Sequence, residues 1–427
     1  MIRLRILPAL RILLIVLLAG GMITCEQNFF NPEKTRLTRE LLYEVMKEWY
    51  LWYDTIPEIN PNEYHSLAAL LDGIVLKPTD RWSRVLGTDE YTNFYDRGQY
   101  VGHGFGLSGD AEGKLWVGYV YEGTTAKSQG VDRGWEILSI NGVPPSPEID
   151  IDTLLGKDEE GVENTFQFRD KQGGTSTMTL AKEMVDINSV LYSDVIDVNG
   201  VKTGYLVYQH FLFESTNELD VVFEEFQENN VTEVIVDLRY NPGGELNVAQ
   251  YLGSLIAGVK AIKGTFVKFV YNDKKSDGNV SKPFQELEFT LSTTPERVFF
   301  ITTGRTASSS EALINGLSPY VDVFLVGDDT YGKPVGMYAV SYIDSTLIPI
   351  TFRMLNRLDE GGFYDGLPAD SYVEEDIKID FGDSEEKLLK EVLYYIENEK
   401  WTGSGTKKSE SVDWRRLRGI NSLTGAI

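Results

Sequence analysis

Cysteine is nearly absent from this chain. Of 427 residues only Cys25 is a cysteine, so neither an internal disulfide nor a cysteine-based metal site is available. Histidine is scarce too: His65, His103 and His210 are all there is. None sits in a local catalytic signature, which leaves few candidates for a Ser-His-Asp triad. Positive charge is in deficit, with 40 Lys and Arg against 65 Asp and Glu and a formal net charge of −25. Such a surface argues against nucleic acid or an anionic membrane as partner, and says little about fold. Residues 12–23 form an apolar run too short and wrongly flanked for a stable membrane span. With Arg3, Arg5 and Arg11 ahead of it, the run reads as a signal peptide. What remains is ordinary for a globular protein, 42% hydrophobic and 25% charged, and long enough for two or three domains.

The stretch that organises the rest is residues 299–336, FFITTGRTASSSEALINGLSPYVDVFLVGDDTYGKPVG. It reads as a buried strand, a hydroxyl-rich turn, a helix, a second buried strand, and a lysine between glycines. A serine at a strand-to-helix turn is held exposed beside the free N–H groups of the helix start, which suits a nucleophile that needs an oxyanion site. A lysine among glycines can lie against backbone, lose solvent and drop its pKa, becoming a base able to deprotonate a serine. Lys333 follows Ser308 by 25 residues.

This stretch resembles the Ser-Lys dyad segment of the C-terminal processing peptidases, or tail-specific proteases. That family reads roughly T-A-S-A-S-E, a helix, a strand ending in V-G-E, then T-F-G-K-G; here the chain has TASSSE, LVGD and TYGKP. The resemblance places the nucleophile on Ser308 and the general base on Lys333. Residues 237–244, DLRYNPGG, match the family's D-L-R-x-N-x-G-G. By that match an N–H of Gly243 or Gly244, together with that of Ser309, forms the oxyanion hole, while Asp237 and Arg239 serve structure. In the family a glutamine four residues after the lysine often orients it. Here that position is Met337, and another position used in some members is Pro319. Glu311 is the surviving acidic candidate for a third member.

In chain order, residues 1–25 are the expected signal peptide, and Cys25 resembles the lipidated cysteine of a bacterial lipoprotein. Residues 26–90 read as a tether and two amphipathic helices (37–53 and 64–74), with Trp49, Tyr50, Trp52 and Tyr53 in the core of a small helical cap. Residues 91–183 resemble a bacterial PDZ domain, in which Gly104, Phe105, Gly106 and Leu107 match the carboxylate-binding loop that receives a peptide C-terminus. Residues 184–400 are the expected peptidase core, an α/β domain of ββα repeats related to the crotonase-like fold, with one sheet packed by helices. Residues 401–427, rich in Gly, Ser and Lys, read as a mobile tail.

The resemblance implies an exported serine endopeptidase of the cell envelope, anchored by a lipid at Cys25 and acting on polypeptides with apolar C-termini. No metal or cofactor is required, no nucleic acid is implied, and oligomeric state is not specified. The alternative is a catalytically weak or inactive PDZ-containing peptide-binding lipoprotein.

Overall fold

The computed structural model describes residues 36–403. The expected signal peptide with Cys25, and the tail from residue 404 onward, lie outside the described residues. At the centre is the strand Glu233–Asp237, EVIVD, buried along its whole length. Val234 and Val236 point into one apolar cluster and Ile235 into another on the opposite face. A continuous apolar run is what a strand covered on both sides needs. It pairs in parallel with Val201–Tyr208 and Arg297–Thr302. Asp322–Gly327 and the short Ser371–Tyr372 extend the parallel sheet, and Val190–Val198 closes the other edge antiparallel. The hairpin at that edge turns through Asn199 and Gly200, both at positive φ, as a tight primed turn requires.

Helices Ser215–Glu228, Leu246–Ala261 and Ser309–Leu317 cover one face of this sheet through residues such as Phe223, Leu252 and Leu313. Lys387–Asn398 covers the other through Leu388, Leu389, Val392 and Ile396. Truncating one such leucine to alanine costs about 2–5 kcal/mol, the lost transfer energy plus the cavity left behind.

The expected single sheet is corrected here: the core carries a second one. Val280–Pro283, Thr265–Tyr271, Ile350–Leu355 and Val335–Met337 form a four-stranded antiparallel sheet. None of these strands pairs with a strand of the central sheet, so they form a layer of their own. Phe266, Phe269 and Phe352 of that layer share the apolar cluster of helices Leu246–Ala261 and Ser309–Leu317, which are thereby held between two sheets.

The N-terminal helices Arg39–Trp49 and Leu67–Ile74 start at Thr38 and Ser66, whose hydroxyls accept from Leu41 N–H (3.2 Å) and Ala69 N–H (3.0 Å), a cap worth roughly 1 kcal/mol. Their apolar faces meet Val335, Leu347 and Ile350. Of the four crowded aromatics, Tyr50 is fully buried, and its hydroxyl accepts from Leu76 N–H at 3.0 Å. Arg84–Gly87 then pairs antiparallel with Ser345–Ile348.

Between this unit and the core lies a five-stranded antiparallel sheet: Phe105–Gly109, Leu115–Val120, Glu136–Ile140, Glu163–Arg169 and Thr175–Ala181. Leu115, Val117, Ile137, Phe166 and Phe168 fill its interior. The chain enters it through Gln99–Gly102 and leaves through Glu183–Asp186, and these two strands pair side by side. Arg133 docks the unit on the core. Its guanidinium donates to Gly118 O (2.7 Å), Tyr240 Oη (2.8 Å), Ile379 O (3.1 Å) and Glu375 Oε1 (2.8 Å).

Candidate active site

Neighbouring parallel strands deliver their following loops to the same end of a sheet. Glu233–Asp237 and Arg297–Thr302 are such neighbours, so the loops at 238–245 and 303–308 meet. Hydroxyls sew them together. Thr303 Oγ1 donates to Arg239 O (2.6 Å) and Thr306 Oγ1 to Leu238 O (2.8 Å). Ser309 Oγ donates to Gly244 O (2.6 Å) and Ser310 Oγ to Asn241 O (3.1 Å). The run of hydroxyls in TASSSE is thus used largely as stitching, with Ser308 left over. Beneath the loop, Arg239 is completely buried; it grips Asp237 (Nε to Oδ1, 2.9 Å) and Glu386 (Nη2 to Oε2, 3.0 Å). Removing one member of such a buried pair costs about 3–5 kcal/mol, so Asp237 and Arg239 anchor the loop from below.

Ser308 stands immediately before helix Ser309–Leu317 with φ 56° and ψ −112°. A non-glycine residue there carries on the order of 1–3 kcal/mol of strain, sustained only where the surroundings impose it. Gly243 shows how tightly they do. A Cβ on it would lie 2.9 Å from both Ala307 O and Ser308 Cβ and 3.1 Å from Ser309 N, and its φ is +106°. The N–H of Gly243 is taken by Asn241 Oδ1 at 2.9 Å. The N–H of Gly244 and that of Ser309, at the first turn of the helix, remain as donors beside Ser308.

Glu311 joins the two halves of the motif. Its carboxylate, wholly buried, accepts four hydrogen bonds: Thr330 Oγ1 (2.5 Å) and Gly332 N–H (2.7 Å) on Oε1, Ser308 N–H and Lys333 N–H (both 2.8 Å) on Oε2. Burial pushes its pKa up, while the four donors favour the ionised form. Lys333 is 2% exposed. Burial, reinforced by the nearby Arg84 guanidinium, pushes its pKa well below the usual lysine range against the opposing pull of Asp80 and Glu311. Asp80 and Arg84 belong to residues 79–86, TDRWSRVL, a stretch that resembles the segment preceding the PDZ domain in C-terminal processing peptidases, so the N-terminal unit reaches into the surroundings of this lysine.

Ser308, Ser309, Lys333, Gly244 and Glu245 line one cavity of about 290 Å³, and Met337 is on its wall. Pro319 lies past the end of the helix and does not line it. Sequence reasoning missed Glu245, Tyr91 and Tyr95 as lining residues; the only available signal was that Glu245 directly follows the glycine pair. No histidine lines the cavity. His210 is fully buried, with its pKa pushed down to about 3, and His103, in the inserted unit, to about 4, both chiefly by burial. Among the described residues no group of His, Cys, Asp and Glu is placed to hold a metal ion.

Residues 104–107 lie in the inserted unit and do not line this cavity. Their glycines are required by packing within that unit: a Cβ on Gly104 would lie 2.6 Å from Thr124 Cβ, and one on Gly106 2.3 Å from the Tyr119 ring. Phe105 packs against Phe166 and Phe168.

The profile of Peptidase family S41 matches residues 202–377, and that of the peptidase S41 N-terminal domain matches residues 38–84. The chain belongs to peptidase family S41. The two S41 matches cover both loops, Lys333 and the segment that carries Asp80 and Arg84. Among curated relatives, the probable CtpA-like serine protease of Staphylococcus aureus (strain COL) is 22% identical over 292 residues, 66% of this chain and 55% of the relative. The carboxyl-terminal-processing protease of Picosynechococcus sp. is 25% identical over 286 residues, 62% of this chain and 61% of the relative. The chain thus spans little more than half the length of these relatives. The crystal structure of a chain from Bacteroides fragilis assigned to S41 superposes with a TM-score of 0.70 at 24% identity, covering 86% of this chain and 99% of that one. That likeness shows the fold.

Proposed function

We propose that this S41 member is a serine endopeptidase that acts on polypeptides selected by their C-terminal tails. One observation carries the reading. A strained serine and a desolvated lysine line one cavity, and a single buried carboxylate holds the backbone of both. Lys333, neutral in its dry site, accepts the Ser308 proton as Oγ attacks the scissile carbonyl. The N–H groups of Gly244 and Ser309 receive the oxyanion, while Gly243, already bonded to Asn241, shapes the loop. Lys333 then hands the proton to the leaving amine, and a water deprotonated by the same lysine hydrolyses the acyl-enzyme. Glu311 acts as a positioning residue.

In this reading residues 91–183 are a PDZ domain that captures apolar C-termini, and the core is related to the crotonase-like fold. The protein is exported and held at the cell envelope by a lipid on Cys25. A Cys25→Ser variant that stays in the membrane fraction with its leader removed refutes the anchor and leaves the peptidase untouched. The decisive experiment incubates the purified protein with a folded substrate bearing an apolar C-terminal tail, in parallel with Ser308→Ala. Cleavage by the first and none by the second is expected. Equal cleavage by both, or cleavage lost in Ser309→Ala but not Ser308→Ala, refutes the assignment.

A further inference from the structure

Glu245 is the residue after the proposed oxyanion glycine, and its backbone is fixed. Its N–H donates to Phe211 O at 2.7 Å, and its carbonyl accepts from Val248 N–H at 3.1 Å as helix Leu246–Ala261 begins. Its side chain lines the cavity that holds Ser308 and Lys333, and it is the only carboxylate among the lining residues. That carboxylate makes no hydrogen bond or ion pair among the described residues. Around it stand the Tyr91 and Tyr95 rings and the further negative charge of Asp96. Lys282 also lines the cavity, but its ammonium lies over the Phe269 ring, 5.9 Å from the centroid. Phe269, Phe352, Met337 and Met354 supply apolar wall.

A partly buried carboxylate without a protein partner gains from a ligand that supplies one. Burial beside Asp96 already pushes its pKa up to about 7, which a cation would reverse. We propose that Glu245 is a specificity residue that selects substrates carrying a lysine or arginine side chain beside the scissile bond. This rests on the Ser308–Lys333 reading. A peptide whose carbonyl oxygen sits on the Gly244 and Ser309 N–H groups passes next to residue 245, within reach of its side chain. Lysine and arginine offer an apolar stem for the aromatic and methionine walls and a cationic head for the carboxylate. A norleucine leaves the carboxylate unpaired, and a glutamate is repelled by it.

The test uses peptides identical except for Lys, norleucine or Glu at the residues flanking the cleaved bond. For the wild type, kcat/KM for Lys over norleucine should be about ten- to a hundredfold, the range of a charge-assisted hydrogen bond. The preference should sit mainly in KM, collapse in Glu245→Gln, persist in part in Glu245→Asp and turn toward Glu in Glu245→Lys. Cleavage of all three peptides at equal rates, or an unchanged preference in Glu245→Gln, overturns the proposal while leaving the dyad standing. Should no peptide be cleaved, the dyad reading itself is in question. Binding then decides: Ser308→Ala should hold the Lys peptide more tightly than the norleucine one by calorimetry, and equal affinity overturns the role of Glu245.

Discussion

Replacing Glu311 by glutamine changes one oxygen into an NH₂ and leaves the shape almost untouched, so its consequence can be worked from the four hydrogen bonds. If the NH₂ replaces Oε2, it confronts the N–H groups of both Ser308 and Lys333. Replacing Oε1, it confronts Gly332 N–H and the Thr330 hydroxyl. That hydroxyl can reorient and accept, as it already does from Leu367 N–H at 2.7 Å. The second orientation is therefore favoured: one backbone donor is orphaned and one hydroxyl turned, at about 1–3 kcal/mol for the orphan and somewhat more in total. It leaves Ser308 and Lys333 tied, so turnover should fall by no more than about tenfold. Glu311→Ala removes every acceptor at once. The loops are then free to shift, and a displacement of the order of 1 Å costs about a hundredfold or more. Urea unfolding by tryptophan fluorescence gives the stability, and turnover of one peptide gives the activity. An alanine variant with the wild-type urea midpoint and wild-type kcat would refute the claim that this carboxylate holds the dyad in place.

The rate should rise with pH as Lys333 loses its proton, at lower pH than an exposed lysine would give, because only neutral Lys333 serves as base and its pKa is lowered by burial and Arg84. A limb near neutrality that vanishes when His103 and His210 are both replaced would contradict this. Since the folded pKa of Lys333 lies below the unfolded one, the unfolded chain binds the extra proton between them and stability rises with pH across that window. Lys333→Met should remove that dependence and be more stable than the wild type at neutral pH; a less stable variant counts against a neutral buried lysine. Gly243→Ala should abolish turnover and cost roughly 1–3 kcal/mol, since its Cβ would meet Ala307 O and Ser308 Cβ at 2.9 Å; unchanged activity would mean the loop yields freely. One peptide supplied as free acid and as C-terminal amide should be cleaved faster as the acid, and equal rates would show that C-termini are not read. Amidation is the cleaner probe, because a side chain at Gly106 would strike Tyr119 whatever the ligand.

The central parallel strands were legible because their middles are apolar runs: VIV of EVIVD and VFFI announce burial on both faces, and the glycines and hydroxyls after them announce turns. Residues 333–357 were not, because short strands with mixed burial read alike whether they extend one sheet or begin another. Pairing with Thr265–Tyr271 settles that, and it is a tertiary fact. Glu311 stood out as an acid near the motif, yet its partners at 330–333 are visible only once the chain has folded back. Arg84 lies in a segment with a family resemblance, TDRWSRVL, that gave no hint of its nearness to Lys333, while Glu245 and the tyrosines at 91 and 95 had no periodic or motif signal of their own. The glycines at 104 and 106 fit a ligand loop from sequence, whereas the structure gives them neighbours inside their own unit.

The paired strands Gln99–Gly102 and Glu183–Asp186 make the inserted unit a module on a stem. Because its entrance and exit are already partners, with Gly102 opposite Glu183, the backbone gap left by excising the insert can be closed by a two-residue turn. No strand of the central sheet would lose a neighbour. The losses on the core side are side-chain contacts, among them the Arg133 bonds to Glu375 and Tyr240, the Tyr119 and Tyr121 bonds to Gln209, the Arg305 bond to Leu107 O, and the packing of both tyrosine rings with Leu212 and Tyr240. An insert joined to its host through one paired stem can be removed or exchanged as a block while every strand of the core sheet keeps its partner. A chain with Gly102 joined to Glu183 through Asn-Gly should melt cooperatively as a shortened protein; failure to fold would show that the module is a structural necessity and not a graft.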